Sequence, residues 1–166
     1  MISYILAVVV AVFGLALDQI TKHLVMTNLT LNCTPTPLVP YVLNLTYIHN
    51  RGGAWGIFSS HRAILLTLTV LVMAVCVIAL VKYCKGKPLL FWSVSLVLSG
   101  GIGNMYDRIF RDGNVVDFLQ FGFWTDFPVF NVADIFVCIG AGLMMLYFVI
   151  DIVKDYKSGD KADAKS

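Results

Sequence analysis

The segment from Ala63 to Val81 reads AILLTLTVLVMAVCVIALV and contains no charged residue. At a rise of about 1.5 Å per residue, an α-helix of this length spans roughly the 30 Å hydrocarbon core of a bilayer. The segment therefore predicts a transmembrane helix. Three other apolar segments are candidates to cross a bilayer: Ile2–Leu17, Leu89 to about Tyr106, and Val129 to about Ile150.

The composition agrees with a protein that lies in lipid. Of the 166 residues, 58% are hydrophobic and 13% are charged, whereas a soluble domain of this length needs a more polar surface. The formal net charge of +2 is small and the basic residues are spread over several segments of the chain, unlike the basic footprint of a nucleic-acid-binding protein. We therefore expect a membrane protein with no nucleic-acid partner.

The first apolar segment resembles a signal peptide only superficially. It lacks a basic region before it, and Asp18-Gln19-Ile20-Thr21-Lys22 follows it instead of a small-x-small cleavage site. Because the apolar stretch is short, we expect a retained first helix that continues through Asp18 and Lys22 toward Met26.

Lysines gather between the second and third predicted helices and after the fourth. They are Lys82, Lys85, Lys87, Lys154, Lys157, Lys161 and Lys165. The excess of basic residues in cytoplasmic loops then puts both termini in the cytoplasm and the connections 27–62 and 108–128 outside. We expect one membrane-embedded domain over residues 1–153 and a polar cytoplasmic tail over residues 154–166, disordered from Asp160 onward.

The two outer connections contain sequence that favours β-structure. Prolines in Cys33–Pro40 forbid a helix, and Tyr41–Ile48 is rich in β-branched and aromatic residues. Val115–Leu119 and Phe121–Trp124 have similar strand propensity. The predicted fold class is an all-α membrane protein of four transmembrane helices, with a small extracytoplasmic β-sheet on the membrane surface.

Polar residues recur at the predicted outer ends of the helices, where a carboxylate that faces lipid is costly and therefore suggests function. Asp18 and Lys22 are four residues apart and share a helix face, so they can pair with each other or with an outer loop. We favour an ion pair that holds the helix end over direct catalysis. Asn104, Asp107 and Arg108 share a face that points into the bundle, where both packing and substrate positioning remain open.

Asn50-Arg51-Gly52-Gly53 follows the first predicted strand. Its paired glycines permit a tight turn or a close backbone approach. The sequence favours a turn, with a substrate-facing loop as the second interpretation.

Two further aspartates suggest acid–base chemistry. Asp117 lies between Val116 and Phe118, where desolvation raises the pKa of a carboxyl. Asp134 is the third residue of the fourth helix if Asn131 caps that helix, and capping alone would explain it. A short connection brings the two carboxylates to one level, however, and two neighbouring carboxylates share one proton, as an aspartic protease requires.

Other hydrolytic schemes fit less well. The chain contains no Glu and no Gly-x-Ser-x-Gly or His-Glu-x-x-His motif. The cysteines show no metal-binding spacing and are interpreted as small hydrophobic residues, and the histidines as loop or interfacial residues. We expect no metal and no organic cofactor.

Five motifs in this order resemble the lipoprotein signal peptidase family, also called signal peptidase II. They are Asp18-Gln19-x-Thr21-Lys22, Asn50-x-Gly52-x-Ala54-Trp55, Gly100-Gly101-x-Gly103-Asn104-x-x-Asp107-Arg108, Val115-Val116-Asp117-Phe118 and Phe130-Asn131-x-Ala133-Asp134. Gly53 and Trp55 depart from the usual Ala and Phe of the second motif, which concerns the shape of the substrate loop.

The resemblance implies a globomycin-sensitive aspartic endopeptidase of the bacterial cytoplasmic (inner) membrane, with its active site near the outer face. It would remove signal peptides from diacylglyceryl-modified prolipoproteins, just before the lipidated cysteine, using Asp117 and Asp134 as the catalytic dyad. Its partners would be those prolipoproteins and membrane lipid, with no obligate protein partner. The residues that would bind substrate or brace the site are Asp18, Lys22, Asn50, Gly52, Asn104, Asp107, Arg108, Asn131 and Ala133.

Two other classes of function fit the same sequence. A small transporter or channel subunit could use Asp18, Asp117 and Asp134 as a proton or cation relay, but the acidic residues gather at one membrane face and no inverted repeat is visible. A lipid-binding scaffold leaves the pairing of Asp117 with Asp134 unexplained.

Overall fold

The computed structural model describes residues 2–52 and 62–163. Within these residues, four helices and one three-stranded sheet form the fold that the sequence predicts. The helices are α1 (Ile2–Asn28), α2 (Arg62–Lys82), α3 (Pro88–Phe110) and α4 (Val132–Asp163), and the strands are β1 (Thr36–Val39), β2 (Leu43–Asn50) and β3 (Val115–Phe121).

All four helices are long and apolar enough to cross a membrane. The first continues through Asp18 and Lys22, as predicted, and ends at Asn28. Helix α3 begins at Pro88, whose fixed φ and missing N–H suit the first turn of a helix. It packs against each of the other three helices and is the most buried of the four. The polar face of α3 therefore lies inside the bundle.

Glycines set the close approach of α3 to its neighbours. A methyl group added at Gly100 would collide with the backbone oxygen of Ala133 at the start of α4. One added at Gly103 would lie 2.7 Å from Asp18 Oδ2 of α1. Small residues at these positions bring polar groups of three helices into contact, as is common between membrane helices.

The sheet is antiparallel, in the order β1-β2-β3. In the β2–β3 register, Ile48 is opposite Asp117 and Asn50 is opposite Val115. Val116 and Phe118 pack with Val25 of α1 in an apolar cluster beneath the sheet. The β2–β3 pair thus fixes where Asp117 lies relative to the outer end of the bundle.

The sheet differs from the prediction in two details. The proline-rich segment, for which only a helix was excluded, contains the strand β1; Pro37 is tolerated because β1 is an edge strand, where one side of the backbone has no partner strand. The prediction of strand structure over Phe121–Trp124 holds only for Phe121, the last residue of β3. Gly122 instead donates its N–H to the carbonyl of Val42 at 3.0 Å, where the chain bends.

Helix α4 continues to Asp163, past the predicted end of the membrane domain at residue 153. Extending an existing helix adds one hydrogen bond per residue without a new nucleation step, so a polar composition does not stop it. The division between a membrane domain and a tail after residue 153 stays a prediction.

Candidate active site

Asp117 of β3 and Asp134 of α4 line one cavity of about 340 Å³. Among the described residues, Asn50, Asn104 and Arg108 supply the other polar groups of its wall. The other described residues of the wall are mainly apolar and include Phe121, Phe127, Phe130, Ile135, Cys138 and Ile139. Three of the five motifs and part of the second thus meet at a polar point in an otherwise apolar cavity.

Asn131 links the two carboxylates. Its Nδ2 donates to Asp117 Oδ1 at 2.6 Å, and its backbone N–H donates to Asp134 Oδ2 at 3.0 Å. The N–H of Asp134 donates back to Asn131 Oδ1 at 3.0 Å, which completes a reciprocal cap at the start of α4. The predicted capping role of Asn131 is confirmed, and Asp134 takes part in the cap while it also lines the cavity.

The second oxygen of Asp117 is held by the end of β2. Asn50 Nδ2 donates to Asp117 Oδ2 at 2.8 Å, and Asn50 Oδ1 accepts the N–H of Gly52 at 3.0 Å. The rest of the second motif, Gly53, Ala54 and Trp55, lies outside the described residues.

The Asp117 carboxyl is only 1% exposed. Burial, followed by the negative charge of Asp134, raises its pKa from 3.8 to about 7, although hydrogen bonds from Asn50 and Asn131 act in the opposite direction. The desolvation predicted from the apolar neighbours of Asp117 is therefore confirmed. Near neutral pH this carboxyl holds a proton in a substantial fraction of molecules.

Asn104 fixes the remaining oxygen of Asp134. Its Nδ2 donates to Asp134 Oδ1 at 2.7 Å. Its Oδ1 accepts hydrogen bonds from Asn131 Nδ2 at 3.0 Å and from Lys22 Nζ at 3.3 Å. Because an ammonium group can only donate, Lys22 requires the oxygen of this amide to point toward it and the NH2 group to point toward Asp134.

The Lys22 ammonium lies in a fully buried set of ion pairs. It is 2.8 Å from Asp18 Oδ2 and 2.9 Å from Asp107 Oδ2. Asp18 Oδ1 also accepts the N–H of Ala133 at 3.0 Å, and Asp107 Oδ2 accepts the N–H of Val116 at 3.1 Å. The predicted pairing of Asp18 with Lys22 is confirmed, and the contacts tie α1 and α3 to the backbone on either side of the cavity.

Sequence reasoning missed the partners of Asp107 on its other side. Gln19 Nε2 donates to Asp107 Oδ1 at 2.9 Å, and Arg111 Nε lies 3.2 Å from the same oxygen. Arg111 also donates to Gln19 Oε1 at 2.9 Å. The spacing of four residues between Asp107 and Arg111 was a usable signal, whereas Gln19 is neutral and offered none. We call Asp18, Lys22, Asp107 and Arg111 the ion cluster.

The guanidinium of Arg108 is buried in the cavity wall and interacts electrostatically with Asp134 and Asp117. Among the side chains that the structure describes, no three of His, Cys or Asp are arranged to hold a metal ion. Two carboxylates fixed by amides beside one cation form an arrangement suited to exchanging protons with a bound water molecule.

A family model described as Signal peptidase (SPase) II matches residues 10–150. This chain belongs to the signal peptidase II family. A lipoprotein signal peptidase from Symbiobacterium thermophilum is 40% identical over 147 residues, covering 87% of this chain and 95% of the relative. Membership of the signal peptidase II family makes the chain an aspartic protease of a bacterial membrane and does not favour the transporter alternative.

Two solved structures share the fold of this signal peptidase II. Both are described as bacterial membrane enzymes determined by the in meso method, at 2.3 and 1.9 Å resolution. Each is 31% identical to this chain, with TM-scores of 0.81 and 0.77. The first alignment covers 88% of both chains, and the second covers 86% of this chain and 91% of the other.

Proposed function

We propose that this chain cleaves signal peptides from diacylglyceryl-modified prolipoproteins, just before the lipidated cysteine, with Asp117 and Asp134 as its catalytic dyad. The observation that carries the proposal is the pair of carboxylates bonded through Asn131 in a cavity that is otherwise mainly apolar. Family membership supports the reaction class, and these contacts support the choice of residues.

In the proposed mechanism, Asp134 is the base and Asp117 is the acid. Asp134 takes a proton from water as the water oxygen attacks the scissile carbonyl carbon, and Asp117 gives its proton to the carbonyl oxygen. The resulting gem-diol collapses when the C–N bond breaks. Asp134 passes its proton to the leaving amine, and one hydroxyl proton returns to Asp117. The raised pKa of Asp117 supports its role as the acid.

The other polar residues serve this pair in two ways. Asn50, Gly52, Asn104 and Arg108 lie where they would line the substrate path or hold the carboxylates. Asn131, Ala133 and the buried Asp18–Lys22–Asp107 contacts brace the helix ends that carry them.

The apolar wall supports recognition of the lipid on the substrate. Ile135, Cys138 and Ile139 follow the i, i+3, i+4 spacing on α4 and line the same cavity as the dyad. Because lipid tails are as apolar as these side chains, an acyl chain can move from the bilayer to this wall at little cost, and it would then help to hold the scissile bond near the dyad. We propose that an acyl chain lies along this face while the peptide crosses the dyad, with membrane lipid around it.

The test is cleavage of a diacylglyceryl-modified prolipoprotein peptide by the purified protein in detergent. Asp117→Asn and Asp134→Asn should each abolish turnover, because Asn can neither accept the water proton nor supply an acidic one. The double variant should lose little beyond either single one, as expected for groups that act as a unit. Asp126 is exposed in the connection between β3 and α4, and Asp126→Asn should remain active.

Two controls complete the assay. Globomycin should inhibit the wild-type protein, and a peptide with an unmodified cysteine should be cleaved far more slowly. Equal rates for the two peptides would contradict lipid recognition. Near-normal turnover by well-folded Asp117→Asn and Asp134→Asn variants would refute the dyad.

A further inference from the structure

The charged groups around the dyad are almost balanced. Among the described residues, the ion cluster contains two carboxylates and two cations. Arg108 adds one cation, which lines the same cavity as the two carboxylates of the dyad and interacts electrostatically with them. The whole group is therefore neutral when Asp117 and Asp134 share one proton, and it carries one negative charge when both are ionised.

Net charge has large consequences here because the groups are withdrawn from water. Lys22, Asp18, Asp107 and Asp117 have at most 1% of their surface exposed. Charges in such surroundings interact far more strongly than charges in bulk water, and an uncompensated buried charge is strongly destabilising. The number of protons on the dyad should therefore depend on the charge of its surroundings.

Lys22 connects the ion cluster to the dyad. Its ammonium group lies within 2.9 Å of Asp18 and Asp107. It also donates to Asn104 Oδ1 at 3.3 Å, and Asn104 Nδ2 in turn donates to Asp134 Oδ1 at 2.7 Å. We propose that Lys22 is a positioning residue that, within a neutral ion cluster, holds the Asp117–Asp134 pair at a single proton. This inference deepens the proposed function, since it concerns the same two carboxylates.

The other groups around Asp117 do not replace this role. Among the described residues, Arg108 from α3 and Asp134 from α4 also act on it electrostatically, while β2 contributes the neutral amide of Asn50. Tyr47 and His49 of β2 are hydrogen-bonded to each other at 2.9 Å. The positive charge of Lys22 also lowers the pKa of Asp117, against the larger effect of burial.

The inference predicts opposite shifts for opposite changes of charge. The experiment measures the thermal unfolding midpoint in detergent between pH 4 and pH 9. It also measures the pH at which the rate of peptide cleavage falls on the alkaline side. In Lys22→Met, the pH at which the Asp117–Asp134 pair loses its shared proton should rise by about one unit, because a positive charge is lost. In Asp18→Asn, it should fall by about one unit. A role that is only structural would lower the midpoint and turnover without shifting either curve along the pH axis.

Compensation makes the test sharper. Lys22→Met combined with Asp18→Asn restores neutrality, and the amide oxygen introduced by Asp18→Asn can still accept the N–H of Ala133, so the pH dependence should return to that of the wild type. Replacing both members of a buried ion pair is also often tolerated where removing one is not. Asp112→Asn is the control for Asp18→Asn, because it removes one negative charge at an exposed position. It should leave both curves unchanged.

A further variant covers the case in which Lys22→Met does not fold. Arg111 is 23% exposed, so Arg111→Gln removes a positive charge from the ion cluster at a more tolerant position and should shift the curves in the same upward direction. Shifts of the same sign for loss of positive and of negative charge, or no shift in folded variants, would overturn the inference. Absence of cleavage by the wild-type protein would overturn the proposed function instead, while the unfolding curves would still test the proton count.

Discussion

At the scale of single residues, Asn131 couples the stability of α4 to the chemistry of the site. Its side chain and backbone donate to different carboxylates, and its Oδ1 accepts the N–H of Asp134. Ser can replace the capping oxygen but has no second donor that reaches Asp117 as the amide does. The two functions of Asn131 can therefore be separated by substitution.

We predict that Asn131→Ser and Asn131→Ala both lose at least 100-fold in turnover, because each leaves Asp117 Oδ1 without its donor. Asn131→Ala should be about 1 kcal/mol less stable than Asn131→Ser, since only Ser still caps the helix. Turnover and chemical denaturation in detergent measure the two effects. Equal stability of the variants would contradict the capping contribution, and full turnover by Asn131→Ser would contradict the role of the donor.

The buried carboxyl of Asp117 should make stability depend on pH. Its pKa is about 7 in the folded protein and near 3.8 when unfolded, so the folded state binds more protons between these values. The free energy of unfolding should therefore be largest below about pH 4 for this group and fall by about 4 kcal/mol as the pH rises through 7.

The pH dependence of unfolding in detergent, compared between wild type and Asp117→Asn, measures this contribution. The difference curve should have a negative slope from about pH 4 to 7 and become flat at higher pH. The cleavage rate should fall as the pH rises through about 7, where Asp117 loses its proton. A difference curve that rises with pH would show that the Asp117 carboxyl is stabilised in its ionised form.

At the scale of helices and strands, the distance between α3 and α4 is set by residues without side chains. Gly100 faces the backbone of Ala133, whereas a methyl group at Gly142 of α4 would meet no atom within 4 Å. Since the N–H of Ala133 also binds Asp18, separating the helices would disturb the ion contacts and the position of Asp134 together.

We predict that Gly100→Ala lowers stability by about 1–3 kcal/mol, as expected for overpacking, and reduces turnover at least tenfold. Gly142→Ala is the matched control and should lower neither, because Ala is the better helix former and space is available. Thermal unfolding and peptide cleavage by the two variants test this. Equal behaviour of the two variants would mean that α3 and α4 can move apart without affecting the site.

The helices could be predicted from the sequence, whereas some strand pairings and side-chain contacts could not. The apolar segments predicted four helices because hydrophobic length alone decides a membrane span, and the short connection between the predicted outer ends placed Asp117 and Asp134 at one level. Strand β1 was not predicted, because its pairing with β2 depends on a partner and not on its own proline-rich sequence. The contacts of Gln19 and Arg111 with Asp107 likewise depend on how α1 packs against α3.

At the scale of the whole molecule, the polar contacts lie at one end of the bundle. Asp18 and Lys22 occur in the later part of α1, Asn104 and Asp107 near the end of α3, and Asp134 in the first turn of α4. The sheet packs on the same end through Val25. The opposite ends of α2, α3 and α4 are those with the lysine groups, so the distribution of charge defines an axis across the membrane.

We predict that the lysine-bearing end faces the cytoplasm, with both termini, and that the dyad lies near the outer face of the bacterial inner membrane. The physical reason is the retention of Lys and Arg on the cytoplasmic side during insertion. Reporter fusions at Lys85 and Ser166 should be cytoplasmic, and fusions at Thr36 and Thr125 should be external. Arg51, Arg108 and Arg111 lie toward the predicted outer side, so the charge asymmetry is moderate and the fusions are a real test. An external signal at Lys85 together with a cytoplasmic one at Thr36 would contradict the prediction. The orientation would then be the opposite one, and the dyad would lie on the cytoplasmic side of the membrane, away from exported prolipoproteins.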